Sequence, residues 1–284
     1  MDLSLRKLRY FVAVAERLHF GRAAEALHIA QPVLSRQIRS LEEELKVQLF
    51  VRSRRATHLT PAGEQLLADA RPLLAGAEAA WRRAVRAGRG PRTFTVGFMP
   101  GLIVTPAVRV FGERHPDLTV EVVRTSWDDQ TDVIRDGRVD LGYVRRPIDE
   151  RGLKVRPLLA EPRVAVLPAG HLLAGKERAG IADLAGEHLL QDRAVVPEWR
   201  GVLASAQALP LMRSVEEKLE HVAAGHGVVI LPLSVAAFYT RPDVTHVPVD
   251  DIGPNQVCLA WDSTRRSPLI QEFAAIAVEL QGDL

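Results

Sequence analysis

One cysteine, Cys258, is the only thiol in the 284 residues. A lone thiol excludes an intrachain disulfide, a disulfide-based redox switch within one chain, and a cysteine-built metal cage. Long apolar runs are also missing. The longest candidate, Gly227 to Tyr239, is broken by Pro232 and falls short of the ~18 apolar residues a membrane helix requires. The opening MDLSLRKLRYFVAVAE sets charges among its first apolar residues, unlike a secretory leader. Catalytic signatures are absent as well: there is no G-x-S-x-G, no G-x-x-x-x-G-K-[ST] and no H-E-x-x-H. His221 and His226 stand five apart, a poor spacing for one helix face, and the side chains of the adjacent acids Asp128-Asp129 and Asp250-Asp251 diverge. These absences lead us to expect a cytoplasmic protein that is not an enzyme and carries no metal or cofactor.

What is present suits two compact units with real cores. Hydrophobic residues make up 47% of the chain and charged residues 25%, an ordinary globular balance. The formal net charge of +2 hides an asymmetry. Residues 1–90 hold 16 Lys+Arg against 9 Asp+Glu, and residues 91–284 hold 21 against 26. A basic first third joined to an acidic remainder points to a polyanion as partner of the N-terminal part alone.

From Leu5 to Leu18 apolar residues recur at helical spacing. Gly21 opens a second short helical segment, Ala23 to His28, and a tight connection leads to Gln31-Pro32, where proline suits a first helical turn. A third helix then runs to about Leu45. Two helices joined so closely make a helix-turn-helix. The arginine-rich stretch after Phe50 reads as a two-stranded wing pinned by Leu49-Phe50 and Leu59. Thr60, Pro61 and Glu64 mark another helix start. From there to about Ala87, the positions Leu66, Ala70, Leu73, Ala77, Ala80 and Ala84 form a seam suited to side-by-side helix pairing. Pro72 lies off that seam and is expected to kink the helix. Ala87 to Pro91 reads as a linker.

The third helix has two faces. Leu34, Ile38, Leu41 and Leu45 form its apolar stripe, while Gln31, Pro32, Val33, Ser35, Arg36 and Arg39 can point the other way. A DNA major groove admits one α-helix, and its base edges are read by amides, short hydroxyls and forked guanidiniums. Gln31 suits adenine, Arg36 guanine, and Ser35 a base or phosphate. Arg52, Arg54 and Arg55 in the wing suit phosphates or the minor groove. A merely solvated helix face is the alternative.

The remainder alternates strand and helix: strands at Phe94–Phe98, Leu118–Arg124 and Leu141–Val144, with helices around Ile103–Phe111 and Asp128–Asp136. That order implies a mostly parallel sheet with covering helices. After Pro162 the pattern resets, with strands expected at 163–167, 188–191, 228–231 and 256–261 and helices at 215–224 and 268–280. Two α/β lobes would leave a cleft between them suited to a small ligand.

Residues 3–67 strongly resemble the LysR-type transcriptional regulators. The matching words are L-x-x-F-x-x-V-A-E (Leu8 to Glu16), A-A-E-x-L in the second helix, I-A-Q-P-x-L-S-R-Q-I-R-x-L-E-E-E-L (Ile29 to Leu45), L-F-x-R-x-x-R and L-T-P-A-G. The rest agrees more loosely, through D-G-R-V-D-L-G (136–142) and A-A-G-H-G-V-V-I-L-P (223–232). The resemblance implies a multidomain fold: a winged helix-turn-helix DNA-binding domain over 1–59 and a dimerising linker helix with hinge over 60–91. A two-lobed, periplasmic-binding-protein-like effector domain follows over 92–284, with lobe I at about 92–161 and 263–284 and lobe II at about 162–262. It implies a homodimer through the linker helix, paired into a homotetramer, on a pseudo-palindromic double-stranded operator. A small-molecule effector would change transcription, with RNA polymerase a further possible partner.

This chain departs from the family in places. Lys46 stands where glycine usually follows E-E-L, which calls for a different helix end or a strained left-handed residue. Gly21-Arg22 replaces small polar residues, and Arg22 adds a candidate phosphate contact. The architecture puts the effector near Met99, Pro100, Gly101 and Leu102 and near Thr125, Ser126 and Trp127. Pro100-Gly101 lacks the hydroxyl that many relatives offer a carboxylate, so Thr125 and Ser126 remain as donors, with Trp127 to stack on a ring. Arg145 and Arg146 follow the third strand; either meets an anionic effector or forms a hinge ion pair with Asp149 or Glu150. Glu198, Trp199, Arg200 and His226 are second-lobe candidates, with His226, between two glycines, alternatively a turn residue. Cys258 is expected in the core.

Overall fold

The structure, a computed structural model, describes residues 3–52, 57–88, 92–201, 212 and 214–282. The chain divides into two compact units near Val85.

In the first unit, α1 (Leu5–Arg17), α2 (Phe20–Ala26) and α3 (Gln31–Leu45) surround one apolar core. Leu8, Phe11, Val14, Leu34 and Ile38 are fully enclosed there. The second helix starts three residues earlier than its apolar pattern suggests, because the His19 ring accepts a bond from the Arg22 N–H (3.2 Å) and caps it. At the end of α3, Lys46 adopts φ +56°, the strained left-handed option. A non-glycine residue there costs about 1–2 kcal/mol. The wing is real: β1 (Phe50–Arg52) pairs antiparallel with β2 (Thr57–Leu59), Phe50 opposite Leu59. Glu42 fixes the wing's root by accepting bonds from the N–H groups of Leu49 (2.9 Å) and Phe50 (3.2 Å).

The linker helix α4 (Pro61–Ala87) continues through Pro72 as one helix. Thr60 caps it, accepting from the Gly63 N–H at 3.0 Å while donating to the Gln48 carbonyl at 2.7 Å. Gly63 packs so tightly that a Cβ would lie 2.2 Å from the Leu49 carbonyl oxygen, which is why the L-T-P-A-G word ends in glycine. The expected seam divides in two. Leu66 and Ala70 pack into the helix-turn-helix core, whereas Leu73 is 50% exposed, and Trp81, which is not part of that seam, is 67% exposed.

The second unit has two lobes. In the first, β3 (Arg92–Phe98), β4 (Leu118–Arg124), β5 (Leu141–Arg145), β6 (Leu153–Glu161) and β10 (Asn255–Asp262) form one sheet in the order β4-β3-β5-β10-β6. The first three strands are parallel as expected, while β10 runs antiparallel to both neighbours. α5 (Thr105–Arg114) and α9 (Pro268–Gly282) supply Phe111 and Phe273, which pack with Phe94 at ring separations of 4.8–5.5 Å. The short α6 (Asp132–Arg135) replaces the longer helix expected there, and Cys258 lies buried on that opposite face.

In the second lobe, β7 (Arg163–Pro168) is flanked by β8 (Val229–Pro232) and β9 (Val244–Pro248), all antiparallel, with α7 (Val215–Ala223) and α8 (Leu233–Phe238) packed against them. Two corrections follow. The expected strand at 188–191 reduces to a single bridge, Leu189 to Val228. The second lobe does not extend to residue 262: β10 sits between β5 and β6, so the chain has returned to the first sheet by Asn255. Long-range antiparallel pairing of this kind leaves no local mark in the sequence.

Candidate DNA-reading face and effector cleft

On α3 the buried side chains are Leu34, Ile38 and Leu41, while Gln31, Pro32, Val33, Arg36 and Arg39 are exposed and Ser35 is half-buried. Among the described residues, the Arg36 side chain hydrogen-bonds only a backbone carbonyl of its own helix, Pro32 O at 3.4 Å, and the Arg22 side chain only Arg17 O at 3.4 Å. Among the described residues, Arg22, Arg36 and Arg39 form no ion pair. These guanidiniums carry their charge into solvent. Arg54 and Arg55 lie outside the described residues, as does the Arg52 side chain.

A cavity of about 450 Å³ opens between the two lobes of the second unit, a size suited to a small organic ligand. Met99, Pro100, Arg124, Thr125, Ser126, Trp127 and Asp129 line it from the first lobe. Ser214, Val215, Glu216, Val235 and Tyr239 line it from the second. The parallel strands β3 and β4 run in register to Phe98 and Arg124, so the loops that follow emerge side by side as cavity wall. Thr125 donates its N–H to the Phe98 carbonyl at 2.8 Å, and its hydroxyl is buried without a partner. The Ser126 N–H and hydroxyl both bond Asp129, at 2.7 and 3.0 Å.

The structure therefore brings five of the expected residues to the cavity: Met99, Pro100, Thr125, Ser126 and Trp127. The others lie elsewhere. Gly101, at φ +83°, packs so closely on α8 that a Cβ would lie 2.6 Å from the Ser234 carbonyl oxygen. Leu102 leans on the first-lobe core. Arg145 is not available to an anionic effector: it is fully buried, paired with Glu161 and bonded to Asn255 Oδ1 (2.9 Å) and Ser234 Oγ (2.8 Å). Arg146 pairs with Glu150 at 2.6 Å, the hinge ion pair. Trp199 is wholly enclosed in the second-lobe core. His226 meets His221, Nδ1 to Nδ1 at 3.0 Å, away from the cavity lining. The Arg200 side chain is outside the described part.

Sequence reasoning missed Arg124, Glu216 and Tyr239. Arg124 Nη2 donates to Glu216 Oε1 at 3.1 Å and to the Tyr239 hydroxyl at 2.9 Å, and that hydroxyl donates to Glu216 Oε1 at 2.9 Å. The backbone N–H of Glu216, the Tyr239 hydroxyl and Arg124 hold the Glu216 carboxyl below the usual carboxylate range. Burial, reinforced by Glu216, raises Tyr239. The bond to Tyr239 raises Arg124. The one available signal was the pair Ser214 and Glu217, a capping box that marks where α7 begins and so where Glu216 stands.

Residues 5–64 match the family model described as bacterial regulatory helix-turn-helix protein, lysR family, and residues 87–281 match the LysR substrate binding domain. The chain belongs to the LysR family of transcriptional regulators. It is 35% identical to the Hca operon transcriptional activator HcaR of Escherichia coli, with 98% of each chain covered. With the regulator AlsR of Bacillus subtilis it shares 32% over 97% of this chain and 95% of that one. Full-length BenM is similar in structure, with a TM-score of 0.56 at 27% identity over 99% and 97% of the two chains; its curated sequence comes from Acinetobacter baylyi. LysR-family proteins are DNA-binding regulators with an effector domain, not enzymes. Among the described residues no helix is long and apolar enough to cross a membrane.

Proposed function

We propose that this LysR-family regulator works in the cytoplasm as a dimer, paired into a tetramer, and sets two copies of α3 into successive major grooves of a pseudo-palindromic operator. Half-sites lie about one helical turn, ~34 Å, apart. Gln31, Ser35, Arg36 and Arg39 meet bases and phosphates, while Arg22, Arg52, Arg54 and Arg55 meet the backbone. A small effector enters the 450 Å³ cavity and shifts the balance of lobe arrangements by no more than its preference for one of them. That shift changes how the bound promoter is bent and offered to RNA polymerase. The observation that carries this reading is a cavity walled by both lobes, in a chain whose α3 holds its free guanidiniums on the face opposite its core stripe.

Dimerisation uses the half of the α4 seam outside the helix-turn-helix core, at Leu73, Ala77, Ala80 and Ala84, together with the exposed Trp81 beside it. Leu73→Asp combined with Trp81→Asp is expected to yield monomers in sedimentation while the helix-turn-helix core stays intact. Persistence of the dimer would place the interface elsewhere. Genomic footprinting of the bound sites tests the regulator reading itself. Protected sites with paired half-sites support it, and protection without sequence preference contradicts it.

A further inference from the structure

Two donors converge on one carboxylate in the cleft, and that carboxylate belongs to the protein. Glu216, in the first turn of α7, accepts from Arg124 and from the Tyr239 hydroxyl. Arg124 comes from the first lobe, Glu216 and Tyr239 from the second, so the cluster spans the cleft. The Glu216 and Arg124 side chains are 51% and 58% exposed, so Glu216 can swing into water without stranding a buried charge. Beside the cluster, Thr125 is 4% exposed and belongs to the cavity lining, and its buried hydroxyl has no hydrogen-bond partner among the described residues. Met99, Trp127, Val215 and Val235 supply the apolar part of the wall, beside Ser126, Ser214 and Asp129, whose carboxylate is bonded by the Ser126 N–H and hydroxyl.

We infer that Glu216 is a built-in occupant of the effector's acid site: the effector is a one-ring carboxylate that takes Glu216's place on Arg124 and Tyr239, with Thr125 as an additional donor. This rests on the cleft being the effector site. Guanidinium and phenol donors recognise a carboxylate through charge-assisted bonds, and two carboxylates cannot share them without repulsion. Release of Glu216 breaks the contact between the lobes, so binding and lobe rearrangement become one event. An acid too weakly held to displace Glu216 is rejected, which makes residue 216 the selectivity filter.

Titration calorimetry of the full-length protein with benzoate and with its neutral isostere benzamide tests this. Removing one nearby charge at a half-exposed site is worth about 1–2 kcal/mol, so Glu216→Gln should bind benzoate about tenfold more tightly and benzamide no differently. Glu216→Ala should show the same benzoate gain, and matched thermal unfolding establishes that each variant is folded. In an Arg124→Gln background the gain should vanish. Equal benzoate affinity in wild type and Glu216→Gln would overturn the inference. So would an equal gain for both probes, since that means the cleft has merely loosened, and so would failure of Glu216→Gln to bind benzoate at millimolar concentration. Operator footprints retained in all these proteins would leave the regulator reading standing whatever the titrations give; loss of the wild-type footprint would remove that reading by itself.

Discussion

The exposed face around α3 and the second unit use arginine in opposite ways. In the first, among the described residues, Arg36 bonds only the Pro32 carbonyl of its own helix, Arg22 only the Arg17 carbonyl at the end of α1, and Arg39 forms no ion pair, while Arg9, Arg17, Arg71 and Arg82 elsewhere in that unit pair with Glu78 or Glu16. In the second, arginine after arginine is answered by an acid: Arg145 by Glu161, Arg163 by Glu198 at 2.7 Å, Arg241 by Asp243 and Glu220, Arg124 by Glu216. Free guanidiniums are what a phosphate backbone recruits, whereas Arg124 and Arg145 tie the two lobes together through Glu216, Tyr239 and Ser234. Within the second unit burial sorts the pairs again. Arg145, at the end of β5, is sealed in and permanent; Arg124, at the end of β4, is half in water and displaceable.

The contrast can be broken at its buried end first. Arg145→Met leaves the buried Glu161 carboxylate without its cation, held by the Ser234 N–H at 2.8 Å, so the effector domain should lose about 3–5 kcal/mol in urea denaturation. Adding Glu161→Leu should recover most of that loss, since an apolar pair replaces a buried ion pair at little cost. A small effect from Arg145→Met alone would mean the pair is wetter than its enclosure indicates. At the free end, Arg36→Ala should leave stability unchanged while weakening operator binding by about 1–3 kcal/mol and relaxing base preference. A drop in melting temperature without relaxed preference would make Arg36 structural. The smallest effect concerns Lys46, whose left-handed backbone carries strain that glycine relieves. Lys46→Gly should raise the stability of the first unit by about 1 kcal/mol in chemical denaturation, with DNA affinity unaltered. Destabilisation would show that the lysine side chain is needed there.

The first unit was the more legible because its signals are local. Helical periodicity gave α1 and α3, Pro32 marked where α3 begins, and Leu34, Ile38 and Leu41 told the packed face from the free one. Thr60-Pro61 announced α4 for the same reason. The second unit hides its decisive contacts in long-range pairing. Arg124 meets Glu216 and Tyr239 across 92 and 115 residues of chain, and no spacing rule links positions so far apart. Arg145 misled in the opposite sense: Asp149 and Glu150 stand near it in sequence, yet Glu161, at the end of β6, is its partner. β6 was unreadable because Lys154, Arg156 and Pro157 interrupt its apolar residues, as an edge strand permits. Thr125 to Trp127 were found because they directly follow a strand whose end could be read.

Fluorescence anisotropy of the native upstream duplex against a base-shuffled duplex, across a salt series, addresses the central claim most directly. The account predicts tighter binding of the native duplex by wild type at physiological salt, and a discrimination that shrinks in Arg36→Ala while the salt dependence shared by both duplexes persists. Equal affinity for native and shuffled duplexes would contradict it.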